Sequence, residues 1–219
     1  MASREHSSGR PWPERAGSWL CESKAVNISP MSIFTNSAAR SKEEAQAYTA
    51  AILDLLGDQD PISVLRDTPG AVRDGIIGLS DEQLSTPETA GKWSIRQVAR
   101  HLADSEIVWG WRLRLVLAQD RPTLTGYDQD LWAERLRYAG ADVNESLEEF
   151  AVLRRGHLRL LSAATADVLR RIGVHTERGE ESAGHMLRMY AGHDLLHIEQ
   201  MARIRRTVEG ARTSSKGAP

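Results

Sequence analysis

From Ser41 onward the apolar residues recur with the period of amphipathic helices, and no segment alternates with the two-residue period of a strand. Ala45, Tyr48, Ile52 and Leu55 form the first stripe, opened by a Ser41/Glu44 capping box and closed by Gly57 and Pro61. Thr68 and Pro69 read as an N-cap and a first-turn proline ahead of a shorter stripe, Val72, Ile76 and Leu79. Residues 80–93 carry turn residues. Ser94 and Gln97 form another capping box, opening a long helix with Ile95, Val98, Leu102, Trp109, Leu113 and Val116 on one face and an end near Gln119. Asp142 and Glu145 open a third long helix, with Leu147, Phe150, Leu153 and Leu161. A fourth runs from near Ser182 to Val208.

Four helices of this length, with one or two short extra helices, predict an all-α antiparallel four-helix bundle over residues 41–210. Two connections, 120–141 with a short helical piece around Leu131 and 164–181, are longer than such a bundle needs. Long ordered loops are often functional, so these are expected to roof a site. Residues 1–40 mix Ser, Gly, Pro and charge without a period and read as a disordered tail, with Met31 as an alternative start. Residues 211–219 read as a second, solvated tail.

Composition narrows the function. The formal net charge is -2 and the arginines are scattered, so neither nucleic acid nor an anionic membrane surface is favoured as a partner. The single cysteine, Cys21, permits no internal disulfide, which fits a cytoplasmic setting. No apolar run approaches the roughly 18 residues of a membrane span, and the first residues lack the apolar centre of a signal peptide.

The candidate chemistry lies in the last helix. Relative to Tyr190, the residues Ala183, Met186, Met201, Ile204 and Val208 fall within about 40° at 100° per residue, with His197 in that stripe and His193 at its edge. Two histidines four apart share a helix face and can reach one cation. His101 sits at the rim of the Ser94 helix's stripe, where it can face a neighbouring helix. Three neutral imidazoles without a thiolate suit a divalent zinc, nickel or iron ion and leave positions for water. The plainer alternative is a hydrogen-bonded core histidine or, for His101, a solvent-facing one.

His157 shares a line with Phe150, Arg154 and Leu161, and reads as an outer contact of the site rather than a fourth ligand. Asp104, Glu106, Asp194 and His157 are general-base candidates by proximity; Asp104 and Asp194 are also placed to accept a ligand's ring proton, or else are surface charges. Trp93, Trp109, Tyr127 and Trp132 are candidates for a substrate pocket or for the core, and Arg112 and Arg154 for holding carboxylates.

Gly91–Lys92–Trp93–Ser94 followed by His101–Leu102–Ala103–Asp104–Ser105–Glu106 resembles the second-helix signature of the DinB-like (damage-inducible, YfiT-type) family. Ala191–Gly192–His193–Asp194–Leu195–Leu196–His197 resembles its last-helix signature. The resemblance spans roughly Pro61 to Arg206. It implies a four-helix bundle, usually a homodimer, in which the matched histidines hold a metal such as zinc or nickel. His157 is not part of that triad. The resemblance leaves the reaction open among three readings: a metal-dependent hydrolase acting on a small-molecule substrate, a transferase or isomerase using a low-molecular-weight thiol such as mycothiol, bacillithiol or glutathione, and a non-catalytic metal-binding protein.

Overall fold

A computed structural model of the chain describes residues 42–215. The elements are α1 (Lys42–Leu56), α2 (Pro61–Ile76), α3 (Asp81–Ser85), α4 (Ile95–Ala118), β1 (Thr123–Leu124), α5 (Gln129–Arg135), a 3-10 turn (Tyr138–Gly140), α6 (Val143–Ser162), α7 (Ala166–Leu169), β2 (Ile172–His175), β3 (Gly179–Ser182) and α8 (Ala183–Ser215). The expected tail over 1–40, the Met31 start, the Ser41 cap and Cys21 lie outside the described residues. The last helix continues beyond Val208 to Ser215.

The four walls of the bundle are α2, α4, α6 and α8. Helix α2 packs against α6 and α8, α4 packs against the same two, and α1 lies along α8. The segment expected to be a short helix from Thr68 is therefore the second half of a bundle wall. Its true start is Asp60, whose carboxylate accepts from the Ser63 N–H at 3.0 Å, with Pro61 in the first turn. Pro69 then falls inside the helix. Lacking an N–H, it leaves the Leu65 carbonyl without its helical donor. The Arg154 guanidinium on α6 donates to that carbonyl at 2.8 Å, which removes the cost that would otherwise end the helix.

Helix α4 begins as read from the sequence, with both hydrogen bonds of the Ser94/Gln97 capping box present. Asp142 caps α6 by accepting from the N–H groups of Asn144 and Glu145. The core of one end of the bundle gathers Val98, Leu102, Phe150 and Ile204; the other gathers Leu65, Trp109, Leu113, Leu161 and Met186. Residues His101 to Glu106 are all buried, so α4 is covered on every side in that stretch. No described helix is long and apolar enough to cross a membrane.

The two long connections meet in a three-stranded sheet of order β1-β2-β3, which the hydrophobic pattern did not predict. Strand β1 pairs parallel to β2, Thr123 opposite Val174, and β2 turns back antiparallel into β3, with His175 opposite Gly179. The buried positions of the hairpin are Gly173, His175 and Glu181. A strand whose inward face is glycine, histidine and glutamate carries no apolar alternation to detect.

Candidate metal centre and its pocket

His101 on α4 and His193 and His197 on α8 converge, with one potential ligand atom from each lying within 4.8 Å of the other two. The Nε2 atoms of His101 and His193 are 3.2 Å apart. Two nitrogens on one cation adopt such a separation, because each stands about 2.0–2.1 Å from it. His101 is fully buried, His197 is 5% exposed, and His193 faces the cavity described below. Burial next to the other two rings holds the His101 pKa well below its usual value. Burial, with His193 nearby, pushes His197 down to about 3. Both rings are therefore neutral near pH 7 and offer lone pairs.

Gln200 sets the tautomer of His197. Its Oε1 lies 2.8 Å from Nδ1, which carries the proton and donates, so Nε2 is left free for a cation. Ser105, one turn after His101, places its Oγ 3.2 Å from His101 Nε2 and 3.1 Å from the Tyr127 hydroxyl. Burial raises the Tyr127 pKa, so this hydroxyl stays protonated. Two close packings keep the frame tight. A Cβ on Gly192 would come within 2.0 Å of the Ile52 carbonyl on α1, and one on Gly110 within 2.0 Å of His157 Nε2.

One turn further into the core sits a second polar cluster with a different character. Arg154 donates through Nε and Nη2 to both oxygens of Glu106, at 2.9 Å each, and through Nη1 to Asp194 at 2.6 Å. His157 Nδ1 lies 2.6 Å from Glu106 Oε1. All four side chains are at most 2% exposed. Burial alone would raise the Asp194 pKa, but the Arg154 guanidinium outweighs it and the carboxyl is held below its usual value. Asp194 Oδ1 is 4.0 Å from His193 Nδ1, too far for a hydrogen bond. Asp104 is engaged as well, accepting from the Tyr138 hydroxyl at 2.6 Å and pairing with Arg100. The carboxylate candidates Asp104, Glu106 and Asp194 are thus each held by an arginine, and His157 and Arg154 belong to the buried cluster.

A cavity opens beside the histidines among α1, α4, α8 and the sheet. His193 and Ser105 line one part, and His175, Arg178 and Glu181 of the hairpin line another. Both long connections contribute, the first through Tyr127 and Gln129. Of the pocket candidates, Trp109, Arg112 and Tyr127 line the cavity. Trp93 packs instead on His101 with ring centroids 4.9 Å apart, and Trp132 on Tyr127 at 4.5 Å. Arg154 does not line the cavity.

Ser105, Gln200, Tyr190 and Tyr138 were not assigned roles from the sequence. Two of them carried a readable signal: Ser105 follows His101 by four residues and Gln200 follows His197 by three, both same-face spacings. Tyr190 stacks on Trp109 at 4.3 Å and on His193 at 5.4 Å.

Comparison with known proteins agrees with this architecture. "Putative metal-dependent hydrolase OB0782" of Oceanobacillus iheyensis is 31% identical over 143 residues, covering 65% of this chain and 83% of the relative. "Putative metal-dependent hydrolase YfiT" of Bacillus subtilis is 30% identical over 146 residues, covering 65% and 82%. A solved structure of the latter, described as a probable metal-dependent hydrolase with an unusual four-helix bundle topology, matches with a TM-score of 0.64 and 29% identity, covering 67% of this chain and 84% of that one. Residues 65–201, from the middle of α2 to the middle of α8, match the family to which the fold and the paired histidine signatures point: this chain belongs to the DinB superfamily.

Proposed function

We propose that the chain is a metal-dependent enzyme in which His101, His193 and His197 hold one divalent cation beside a small-molecule pocket. The observation that carries this reading is the convergence of three imidazoles, at least two of them neutral near pH 7, next to a cavity with both apolar and polar lining. Such a cation, zinc, nickel or iron, lowers the pKa of a bound nucleophile and leaves coordination positions open. The protein's own groups divide the remaining work. Gln200 keeps the His197 proton on Nδ1. The buried carboxylates of Glu106 and Asp194, neutralised by Arg154, anchor the turns from which Ser105 and His193 project. The Ser105 hydroxyl stands at His101, with the Tyr127 hydroxyl next to it, and can donate to an oxygen or sulfur there.

Water is the first nucleophile on this reading, giving a hydrolase, as the names of the relatives suggest for those proteins. A small thiol is the second. It is favoured by one observation: Asp104, Glu106 and Asp194 are each tied to an arginine, which leaves Glu177 of the hairpin as the cavity carboxylate without an ion pair among the described residues. Hydrolysis benefits from an unengaged base near the water, whereas ionising a thiol on a cation needs none.

Protein purified without chelator is expected to carry one divalent metal per chain by elemental analysis. His193→Ala and His197→Ala should each lose it while keeping their helical circular dichroism. Wild-type stoichiometry and affinity in either variant would sink the assignment. A panel of activated esters and amides, run beside thiol conjugation of electrophiles, then separates the two nucleophiles by whether turnover requires added thiol.

A further inference from the structure

Hydrogen-bond accounting inside the cavity leaves an excess of donors. Trp109 Nε1, Arg112 Nε and His175 Nε2 are buried, line the cavity and have no partner among the described residues. Each such group costs about 1–3 kcal/mol when left unsatisfied. The His175 proton can be located. Its Nδ1 accepts from the Glu177 N–H at 3.2 Å, so the neutral ring carries its hydrogen on Nε2. Burial and the two neighbouring arginines keep the ring neutral by pushing its pKa down to about 3. Trp109 and Arg112 have no other role at those nitrogens than to donate. All three groups are donors with no acceptor among the described residues.

The charges point the same way. Arg178 is engaged by Glu181 through two hydrogen bonds. Arg112 has no ion pair among the described residues, and its guanidinium bonds only the Thr125 carbonyl. One cation thus stands open in a cavity that also holds acidic side chains, Glu177 and Glu181. With Arg178 and Glu181 paired, the charges left on the lining are Arg112 and Glu177, so a ligand anion at Arg112 leaves the filled cavity with a single net negative charge and a dianion is disfavoured. The spacing suits a small molecule. Arg112 follows Ser105 by seven residues, two turns or about 10 Å along α4. The stacked rings of Trp109 and Tyr190 lie along that path.

We propose that Arg112, with the His175 Nε2–H and the Trp109 indole N–H, forms a subsite for the carboxylate of a small, partly apolar monoanion whose other end reaches the histidine centre. The direction of that other end rests on the metal-site reading; the carboxylate subsite does not. Helix α4 and the β2–β3 hairpin build it together, which gives the unpredicted sheet a role in recognition.

The test is calorimetric titration of the full chain with phenyl-terminated carboxylic acids bearing one to four methylenes, each paired with its uncharged amide. It is run on metal-loaded and on chelator-treated protein. At least one acid is expected to bind about tenfold or more tightly than its amide, the amount one charge-assisted hydrogen bond supplies. That preference should persist after the metal is removed, and Arg112→Gln and His175→Phe should each abolish it. If no acid outperforms its amide, the proposal is overturned without recourse to any variant. A preference confined to metal-loaded protein overturns it too, by placing the carboxylate on the cation. If the protein takes up no divalent metal when offered it, the metal-site reading fails, and a preference that still holds leaves the subsite standing.

Discussion

Two polar clusters lie side by side in the same core, and they differ in how fully their hydrogen-bonding groups are used. In the cluster around Arg154, the guanidinium meets two carboxylates and a carbonyl, and His157 meets Glu106. In the histidine centre, which opens to the cavity at His193, the Nδ1 atoms of His101 and His193 have no partner among the described residues, and two ring nitrogens face each other at 3.2 Å. On the proposed reading, it is unfinished hydrogen bonding rather than buried charge that distinguishes the binding centre. The finished cluster is expected to act through stability, and the unfinished one through what it binds.

The sharpest way to break that contrast is Arg154→Met. It strands Glu106 and Asp194 as uncompensated charges and orphans the Leu65 carbonyl beneath Pro69. The expected loss is about 3–5 kcal/mol of unfolding free energy by urea denaturation. Adding Glu106→Gln and Asp194→Asn should recover part of it, because the stranded charges go. A loss below about 1 kcal/mol for the single variant would show that the cluster is not a structural tie.

A smaller effect should separate the histidines by pH. His197 has a folded pKa of about 3, below its unfolded value near 6.5, so the unfolded state binds the extra proton between them. Stability from this ring is complete above about pH 6.5 and falls as the pH drops toward 3, by about 1.4 kcal/mol per unit. Metal-free wild type should thus lose on the order of 2–3 kcal/mol more than metal-free His197→Gln on going from pH 7 to about pH 4.5. Parallel pH profiles for the two proteins would contradict the neutral, buried ring.

The smallest expected effect belongs to Gln200→Leu. It removes the acceptor that holds the His197 proton on Nδ1 but leaves the ring in place. Metal affinity should weaken by about 10- to 100-fold, measured by competition with a chromogenic chelator, with little change in unfolding of the metal-free protein. An unchanged affinity would mean that packing alone orients His197.

Much of the frame was legible because it is written at short range. The Ser94/Gln97 box, the Asp142 cap and the four-residue step from His193 to His197 are local relations, fixed by helix geometry once a helix is granted. The expectation that the two long connections roof a site was also readable, from their length alone. What the local pattern misjudged were the places where a distant residue overrules it. Pro69 signals a helix start, yet it sits inside α2 because Arg154, far along the chain, supplies the missing donor. The sheet escaped notice because its inward residues are Gly173, His175 and Glu181, chosen for space and polarity rather than for apolar burial.

The sequence by itself determined which side chains share a face: the metal-candidate pair on α8, the stripe that buries it, and the rungs of Ser105 and Arg112 on α4. Only the tertiary structure decided which of the many ionisable residues stay unengaged. Glu106, Asp194 and Asp104 look like catalytic candidates along the chain, but each finds an arginine in three dimensions, while Arg112 and His175 do not find a carboxylate. Helical periodicity is a property of neighbours within a turn or two, whereas the pairing of buried charges is settled between helices, where burial makes any group left over costly.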